Sequence, residues 1–244
     1  IPLACSGFFA VCGILLAFGL DEPARERSHS GRKKGIRAHV HDVHALLRTR
    51  HAVALMLAVG AVFWGSLTVA ELYVQAVFSD RGLSNGQIGL LVGSMFLAIA
   101  AGTTVGRQLR GSFAWQWPVL AVTTGAGVVL IGLESVVLAI TAFVLAQFAS
   151  GVVETRMSAW YNAQLPSAQR ATVLSIESWL FSCLMIVFFP LGGWLAQRSG
   201  WSVLYLICGL TGVLTSLAVI VLRKHPETAD EPDLLEPVLE SSPT

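Results

Sequence analysis

Charged residues are scarce in this sequence, and the patterns of several protein classes are missing. Only 13% of the 244 residues are Asp, Glu, Lys or Arg, whereas a soluble domain carries about 25%. The four cysteines, Cys5, Cys12, Cys183 and Cys208, have no paired spacing, so neither a disulfide framework nor a zinc site is predicted. Half of the 16 basic residues lie in one polar segment, 21–50. Such a block is typical of a solvated membrane-surface segment, so we expect no nucleic-acid partner.

Most of the sequence consists of seven apolar runs, each about as long as a helix. A helix needs about 20 apolar residues to cross a bilayer. The runs cover residues 1–20, 52–78, 87–106, 118–133, 135–160, 171–197 and 201–222. Only four charged residues fall inside them, namely Glu71, Glu154, Arg156 and Glu177. The sequence thus predicts an all-α membrane protein, a polytopic bundle of transmembrane helices.

The polar segments divide the chain further. Residues 21–51 form a basic linker, in which apolar residues recur at helical spacing and predict an amphipathic helix over 36–50. In the linker's HVHDVH cluster, 39–44, His41 and His44 share a helix face but His39 falls elsewhere, so we predict no metal site there. Residues 52–222 form a six-helix transmembrane bundle. The tail, 223–244, is acidic and proline-containing, and we expect it to be disordered.

The distribution of basic residues predicts the orientation in the membrane. With 21–50 in the cytoplasm, all of the 16 basic residues except Arg81 and Arg198 fall on the cytoplasmic side. The positive-inside rule strongly favours this arrangement. We therefore expect a multi-pass protein of the cell membrane whose C-terminus is cytoplasmic.

Polar side chains recur at helical spacing in three of the runs, and each set shares one helix face. The sets are Trp64, Thr68, Glu71 and Gln75 in the second run; Gln147, Ser150, Glu154, Ser158 and Tyr161 in the fifth; and Thr172, Ser175, Ser178 and Ser182 in the sixth. Glu177 lies about 100° from the hydroxyl face of the sixth run, so either Glu177 or the hydroxyls face a cavity. The other four runs contain no charge, and we interpret them as scaffold.

The acids inside the runs are the strongest functional signal. A charge in mid-bilayer is costly and is kept mainly where it faces water or a partner, whereas hydroxyls in membrane helices often bond to the helix itself. Arg156 offers Glu154 or Glu177 an ion-pair partner, which is a purely structural alternative. Glu71 has no basic residue nearby in sequence and is the best single candidate. We predict a substrate or proton pathway along Glu71, Thr68, Gln75, Trp64, Gln147, Ser150, Glu154, Arg156 and Glu177.

Three segments carry a resemblance to a known family. A long basic loop leads into a helix ending ELYVQAVFSDRGLSNGQIGLL, and later come NAQLPSAQRATVLSIESWLFS and FFPLGGWLAQRSGW. Together they resemble the C-terminal half of a major facilitator superfamily transporter, with the seven runs as its sixth to twelfth helices. The segment LPSAQRATVLS is similar to the cytoplasmic turn between the tenth and eleventh helices. The loop GRQLRGSF occupies the place of the basic turn after the eighth.

The resemblance implies two pseudo-symmetric six-helix halves with a substrate site between them at mid-membrane. The seventh and tenth helices line the cavity in this family, and the eleventh flanks it. It also implies that residues 1–20 belong to the preceding half, that the N-terminal six-helix half is a missing partner, and that this chain alone does not transport.

These observations together predict a function. We expect alternating-access transport of a small solute, coupled to protons and efflux-like, without a cofactor. A seven-helix ligand-sensing receptor without transport activity is the alternative. An enzyme is not expected, because every histidine lies outside the runs and no H-E-x-x-H motif occurs.

Overall fold

A computed structural model describes Arg48, residues 50–165 and residues 167–222, apart from the side chains of Ala114, 167–169 and Leu222. These residues belong to one compact unit, 42–244. They form α1 (His51–Asp80), α2 (Asn85–Gln108), α3 (Phe113–Ile131), α4 (Val136–Gln164), α5 (Ser167–Ser199) and α6 (Trp201–Leu222). The predicted run 1–20, the basic linker with its histidine cluster and the acidic tail lie outside this description.

The described helices confirm the predicted all-α transmembrane bundle. All six runs between residues 52 and 222 are helical, and five of the six helices are long and apolar enough to cross a membrane. The exception is α3, whose apolar segment Trp115–Ile131 is shorter. The helix α5 contains Pro190 and stays helical through it to Ser199.

Small residues bring α2 against α4. A Cβ atom on Gly102 would collide with the backbone carbonyl of Phe148, and one on Gly106 would lie 2.9 Å from the Cβ of Thr155. Gly102 and Gly106 form a G-x-x-x-G pair, a spacing that allows two helices to approach closely. The helix α2 contains another such pair, Gly89 and Gly93, which has no described atom within 4 Å of its Cβ positions. Only one of the two motifs is therefore used within the described bundle.

The pair α3 and α6 packs in the same way and contributes a second layer of scaffold. Gly125 on α3 meets Gly209 and Gly212 on α6 almost backbone to backbone. On the other side, α3 packs against α4. These close contacts leave α3 and α6 as the uncharged support on which the other helices lie, as the sequence suggested.

The helix α1 packs mainly against α5 and α6. On α6, the buried Tyr205 donates a hydrogen bond of 2.8 Å to the carbonyl of Ala70. Tyr73 donates a hydrogen bond of 3.0 Å to the carbonyl of Phe189 on α5, and their rings stack at 5.1 Å. A Cβ atom on Gly193 would lie 2.6 Å from the Tyr73 hydroxyl oxygen, so the glycine makes room for this contact.

Short turns connect the helices. The turn after α1 contains Gly82 at φ +85°, a left-handed conformation that favours glycine. Ser84 then caps α2, because its side chain accepts from the backbone of Gln87 while the Gln87 side chain accepts from the backbone of Ser84. These signals explain why α1 ends and α2 begins where they do.

Candidate membrane cavity

One face of the bundle contains a cavity of about 460 Å³, large enough for a small organic molecule. Four helices, α1, α2, α4 and α5, contribute its wall, whereas α3 and α6 contribute none of the lining residues. The lining residues are Trp64, Leu67, Thr68, Glu71, Ile99, Gln147, Ser150, Glu154, Met157, Ser158, Tyr161, Leu174 and Glu177. The structure thus brings together seven of the nine residues that the sequence analysis placed in a pathway.

The wall from α1 is a narrow stripe. Trp64, Thr68 and Glu71 line the cavity at the spacing that puts them on one helix face. Gln75 continues the same stripe by one turn, but it is exposed and lies outside the lining. The predicted pathway therefore ends at Glu71 on this helix, one turn earlier than expected.

The wall from α4 is the longest. Gln147 and Ser150 are almost completely buried, at 2% and 4% exposure, and form its inner end. The Ser150 hydroxyl donates to the Gln147 backbone carbonyl at 2.8 Å and lies 3.4 Å from the Gln147 side-chain oxygen, so its hydrogen bonds stay within α4. Glu154 and Ser158 follow on the same face and are more exposed.

On α5 the structure decides between the two faces that the sequence left open. Glu177 lines the cavity together with Leu174, one turn earlier. The hydroxyls of Ser175, Ser178 and Ser182 donate instead to backbone carbonyls four residues earlier in α5, at 2.8–3.1 Å. For these three serines the hydrogen bonds are local, as is common in membrane helices.

The partners of Arg156 are neither Glu154 nor Glu177, so the ion pair that was the structural alternative does not form among the described residues. The Arg156 guanidinium donates to the side-chain oxygen of Gln116 at 2.6 Å and to the carbonyls of Leu109 and Gly111 at 2.9 and 2.7 Å. Arg156 therefore fixes the α2–α3 loop to α4 and does not line the cavity. The physical reason is the helix period: two residues apart on a helix point about 200° apart, so Arg156 and Glu154 face opposite ways.

Six lining residues were not in the predicted pathway, and Tyr161 is the most deeply buried polar one among them. It belongs to the polar face of α4, lines the cavity and is only 2% exposed. Its hydroxyl faces the Glu177 carboxyl from α5, but it makes no hydrogen bond of standard geometry to a described residue. The polar stripe of α4 was the available signal for Tyr161 and Ser158. No sequence pattern indicated the apolar lining residues Leu67, Ile99, Met157 and Leu174.

The cavity is strongly acidic. Three carboxyl groups, those of Glu71, Glu154 and Glu177, line it, and no lysine, arginine or histidine is among the lining residues. Within the described part of the chain, no group of three His, Cys, Asp or Glu residues is arranged to hold a metal ion. The wall can therefore bind protons or a positively charged group, and its tryptophan and aliphatic residues can contact an apolar body.

A solute-sized polar cavity among apolar helices of membrane-spanning length is the arrangement that a helical membrane transporter needs. The sequence profile of the Major Facilitator Superfamily matches residues 72–241, more than two thirds of the chain. The chain belongs to the Major Facilitator Superfamily. Its members transport small solutes across membranes and are generally not enzymes. A search among curated proteins finds no match.

Proposed function

We propose that this chain forms part of a proton-coupled transporter of the efflux type, whose solute is a small cationic amphiphile. The observation that carries the proposal is the wall of three carboxyl groups without a basic lining residue. The proposed pathway consists of Trp64, Thr68, Glu71, Gln147, Ser150, Glu154 and Glu177. The preceding six-helix half, the partner that the resemblance implies, is proposed to complete the cavity.

The charge of the wall favours exchange over co-transport. Carboxylates inside a membrane need compensation by a proton, a cation or water. A bound cationic solute and a bound proton compensate the same groups, so each favours release of the other. Solute and proton then cross in opposite directions, and an inward proton gradient drives the solute out. Glu71 is the proposed coupling residue because it lies on the α1 wall without a basic neighbour in the lining.

We also propose that the protein lies in the cell membrane with the α2–α3 and α4–α5 turns in the cytoplasm. Arg107 and Arg110 lie at the first of these turns, and Arg170 follows the second. Arg81 and Arg198 lie near the turns at the other end of the bundle. This arrangement follows the positive-inside rule and puts the C-terminus in the cytoplasm.

Proton exchange in inverted membrane vesicles tests the proposal. Vesicles that contain the transporter with its preceding half are acidified inside by respiration, and a pH-sensitive dye reports the gradient. Ethidium, a flat monovalent cation, should release protons on addition. Glu71→Gln should lower this release by about tenfold or more, because an amide cannot take up a proton in this range. Exchange of ethidium between equal pH compartments should be partly retained.

Glu134→Gln is the matched control. Glu134 is exposed in the α3–α4 turn and does not line the cavity, so the same chemical change there should leave proton release unaltered. Normal proton release by Glu71→Gln across the pH range would remove Glu71 as the coupling residue. Proton release with neutral probes of the same size, but none with ethidium, would contradict the cationic solute.

A further inference from the structure

The hydroxyl of Tyr161 lies where three helices of the cavity wall meet. Tyr161 belongs to α4, and its oxygen is 3.7 Å from the Cβ position of Gly60 on α1. The phenol ring packs against Trp160 at 5.3 Å between ring centroids. On the remaining side the hydroxyl faces Glu177 of α5. That distance is an ordinary van der Waals contact, so α1 covers one side of the hydroxyl.

This hydroxyl is buried but makes no hydrogen bond of standard geometry within the described residues. A buried hydroxyl without a partner is unfavourable, so such a group is rarely left in place without a reason. The polar group in front of it is the Glu177 carboxyl.

We propose that Tyr161 is a positioning residue for Glu177: its hydroxyl donates a hydrogen bond to the ionised carboxylate and is released when the carboxyl takes up a proton. A hydrogen bond to an ionised acceptor is shorter and roughly twice as strong as one between neutral groups. Ionisation of Glu177 thus draws its side chain toward Tyr161, and protonation lets it turn away. The inference rests on the proposed function, because it assigns proton binding and release to the cavity acids.

The contact between Tyr161 and Glu177 joins two helices, α4 and α5. Among the described helices, α4 and α5 are not closely packed against each other; they face each other across the cavity. Arg170 of α5 ties the start of that helix to the end of α4 through the carbonyls of Asn162 and Leu165, and a hydrogen bond between Tyr161 and Glu177 adds a direct link farther along the two walls. Because the link depends on the proton at Glu177, it translates proton binding into a change in the spacing of α4 and α5.

The other titratable groups of the cavity and of the helices packed against α5 occupy different positions from Tyr161. Glu71 on α1 and Glu154 on α4 line the same cavity and are acids themselves. Tyr205 and Cys208 are on α6, which contributes no lining residue. On α5 itself, Arg170 lies about two turns before Glu177, and its guanidinium donates to the carbonyls of Asn162 and Leu165. Tyr161 is the one neutral donor among the titratable lining residues.

The chain supplies matched controls, because its other two tyrosines have backbone acceptors. Tyr205 donates to the carbonyl of Ala70, and Tyr73 donates to the carbonyl of Phe189. Each Tyr→Phe change removes one hydroxyl and nothing else. Tyr161→Phe should fold in wild-type yield, since its hydroxyl loses no standard hydrogen bond in the described structure. Tyr205→Phe should instead lower the thermal stability.

Infrared titration of the purified transporter with protons alone tests the proposal, so no solute is needed. Protonated carboxyl groups absorb separately from carboxylates, and the band that disappears in Glu177→Gln belongs to Glu177. In Tyr161→Phe the midpoint of this band should move to higher pH by about one unit, a tenfold change in proton affinity. Neither Tyr205→Phe nor Tyr73→Phe should move it. In a Glu71→Gln background the shift should persist.

The outcomes separate this inference from the proposed function. If the Glu177 midpoint in Tyr161→Phe stays at the wild-type value, or moves no more than in Tyr205→Phe, the positioning role is refuted even when Glu71→Gln abolishes proton exchange. If the midpoint moves while Glu71→Gln exchanges protons normally, the contact stands and Glu71 is not the coupling residue. Absence of any titrating Glu177 band in the wild-type protein overturns the positioning role.

Discussion

Removal of the Arg156 guanidinium should release the α2–α3 loop from α4. Arg156→Ala deletes three hydrogen bonds, to the Gln116 side chain and to the carbonyls of Leu109 and Gly111. The loop between them turns through Gly111 at φ +98°, so the guanidinium holds a short, sharply folded segment. The carboxylates of the cavity lose no partner in this change, which distinguishes it from the ion-pair hypothesis.

The expected loss of stability follows from the three bonds and their exposure. Hydrogen bonds from a charged donor contribute about 1.5–3 kcal/mol each when buried. Arg156 is only half-buried, so water replaces part of each bond. We therefore expect a total loss of about 2–3 kcal/mol, because exposed charged contacts are worth roughly 1 kcal/mol or less each. In a chain of this size such a loss lowers the unfolding temperature by about 5–10 °C.

Thermal unfolding in detergent, followed by tryptophan fluorescence, measures this loss. Arg107→Ala is the matched control, since Arg107 is exposed at the end of α2 and makes no hydrogen bond to a described residue. In a double-mutant cycle, Gln116→Ala and Arg156→Ala should couple by about 1 kcal/mol. The reasoning is refuted if Arg156→Ala unfolds at the wild-type temperature. It is also refuted if Glu154→Gln or Glu177→Gln restores the stability of Arg156→Ala, as an ion pair requires.

Two further predictions concern packing and orientation. Gly102→Ala should lower stability by about 2–3 kcal/mol, because its Cβ would meet the Phe148 backbone carbonyl. Gly86→Ala, with no described atom within 4 Å of its Cβ position, should change little; equal losses for the two would argue against this packing. In a variant without its native cysteines, a membrane-impermeant maleimide added outside intact cells should label Glu134→Cys but not Arg110→Cys. Labelling in the opposite pattern would reverse the proposed orientation.

The helices were predictable because a bilayer imposes length and polarity on every span. The acids were predictable as a set for a related reason: Glu71, Glu154 and Glu177 stand out where charge is costly, and all three line the cavity. The spacing rule also identified Trp64 and Thr68 beside Glu71. The rule failed at Gln75, because the spacing of polar residues along one helix does not show where the neighbouring helices end and the cavity opens to solvent.

Contacts between helices were less accessible from the sequence. The position of Arg156 on α4 excluded Glu154 as a partner by the helix period alone, yet nothing in the sequence indicated the loop carbonyls that it binds. The motif Gly102–Gly106 packs closely whereas Gly89–Gly93 does not, although the two motifs have the same spacing. Such choices depend on which faces of two helices meet, and this information is not local to either one.

The contact of Tyr73 with Phe189 makes α5 a lever. The helix has 33 residues and is therefore about 50 Å long. Glu177 lies twelve residues before Phe189, at a distance of about 18 Å along the axis. A tilt of roughly 10° about the contact would carry Glu177 through about 3 Å, the length of a hydrogen bond. The stacked rings of Tyr73 and Phe189 can thus stay in contact as a pivot, while the part of α5 around Glu177 moves toward or away from Tyr161.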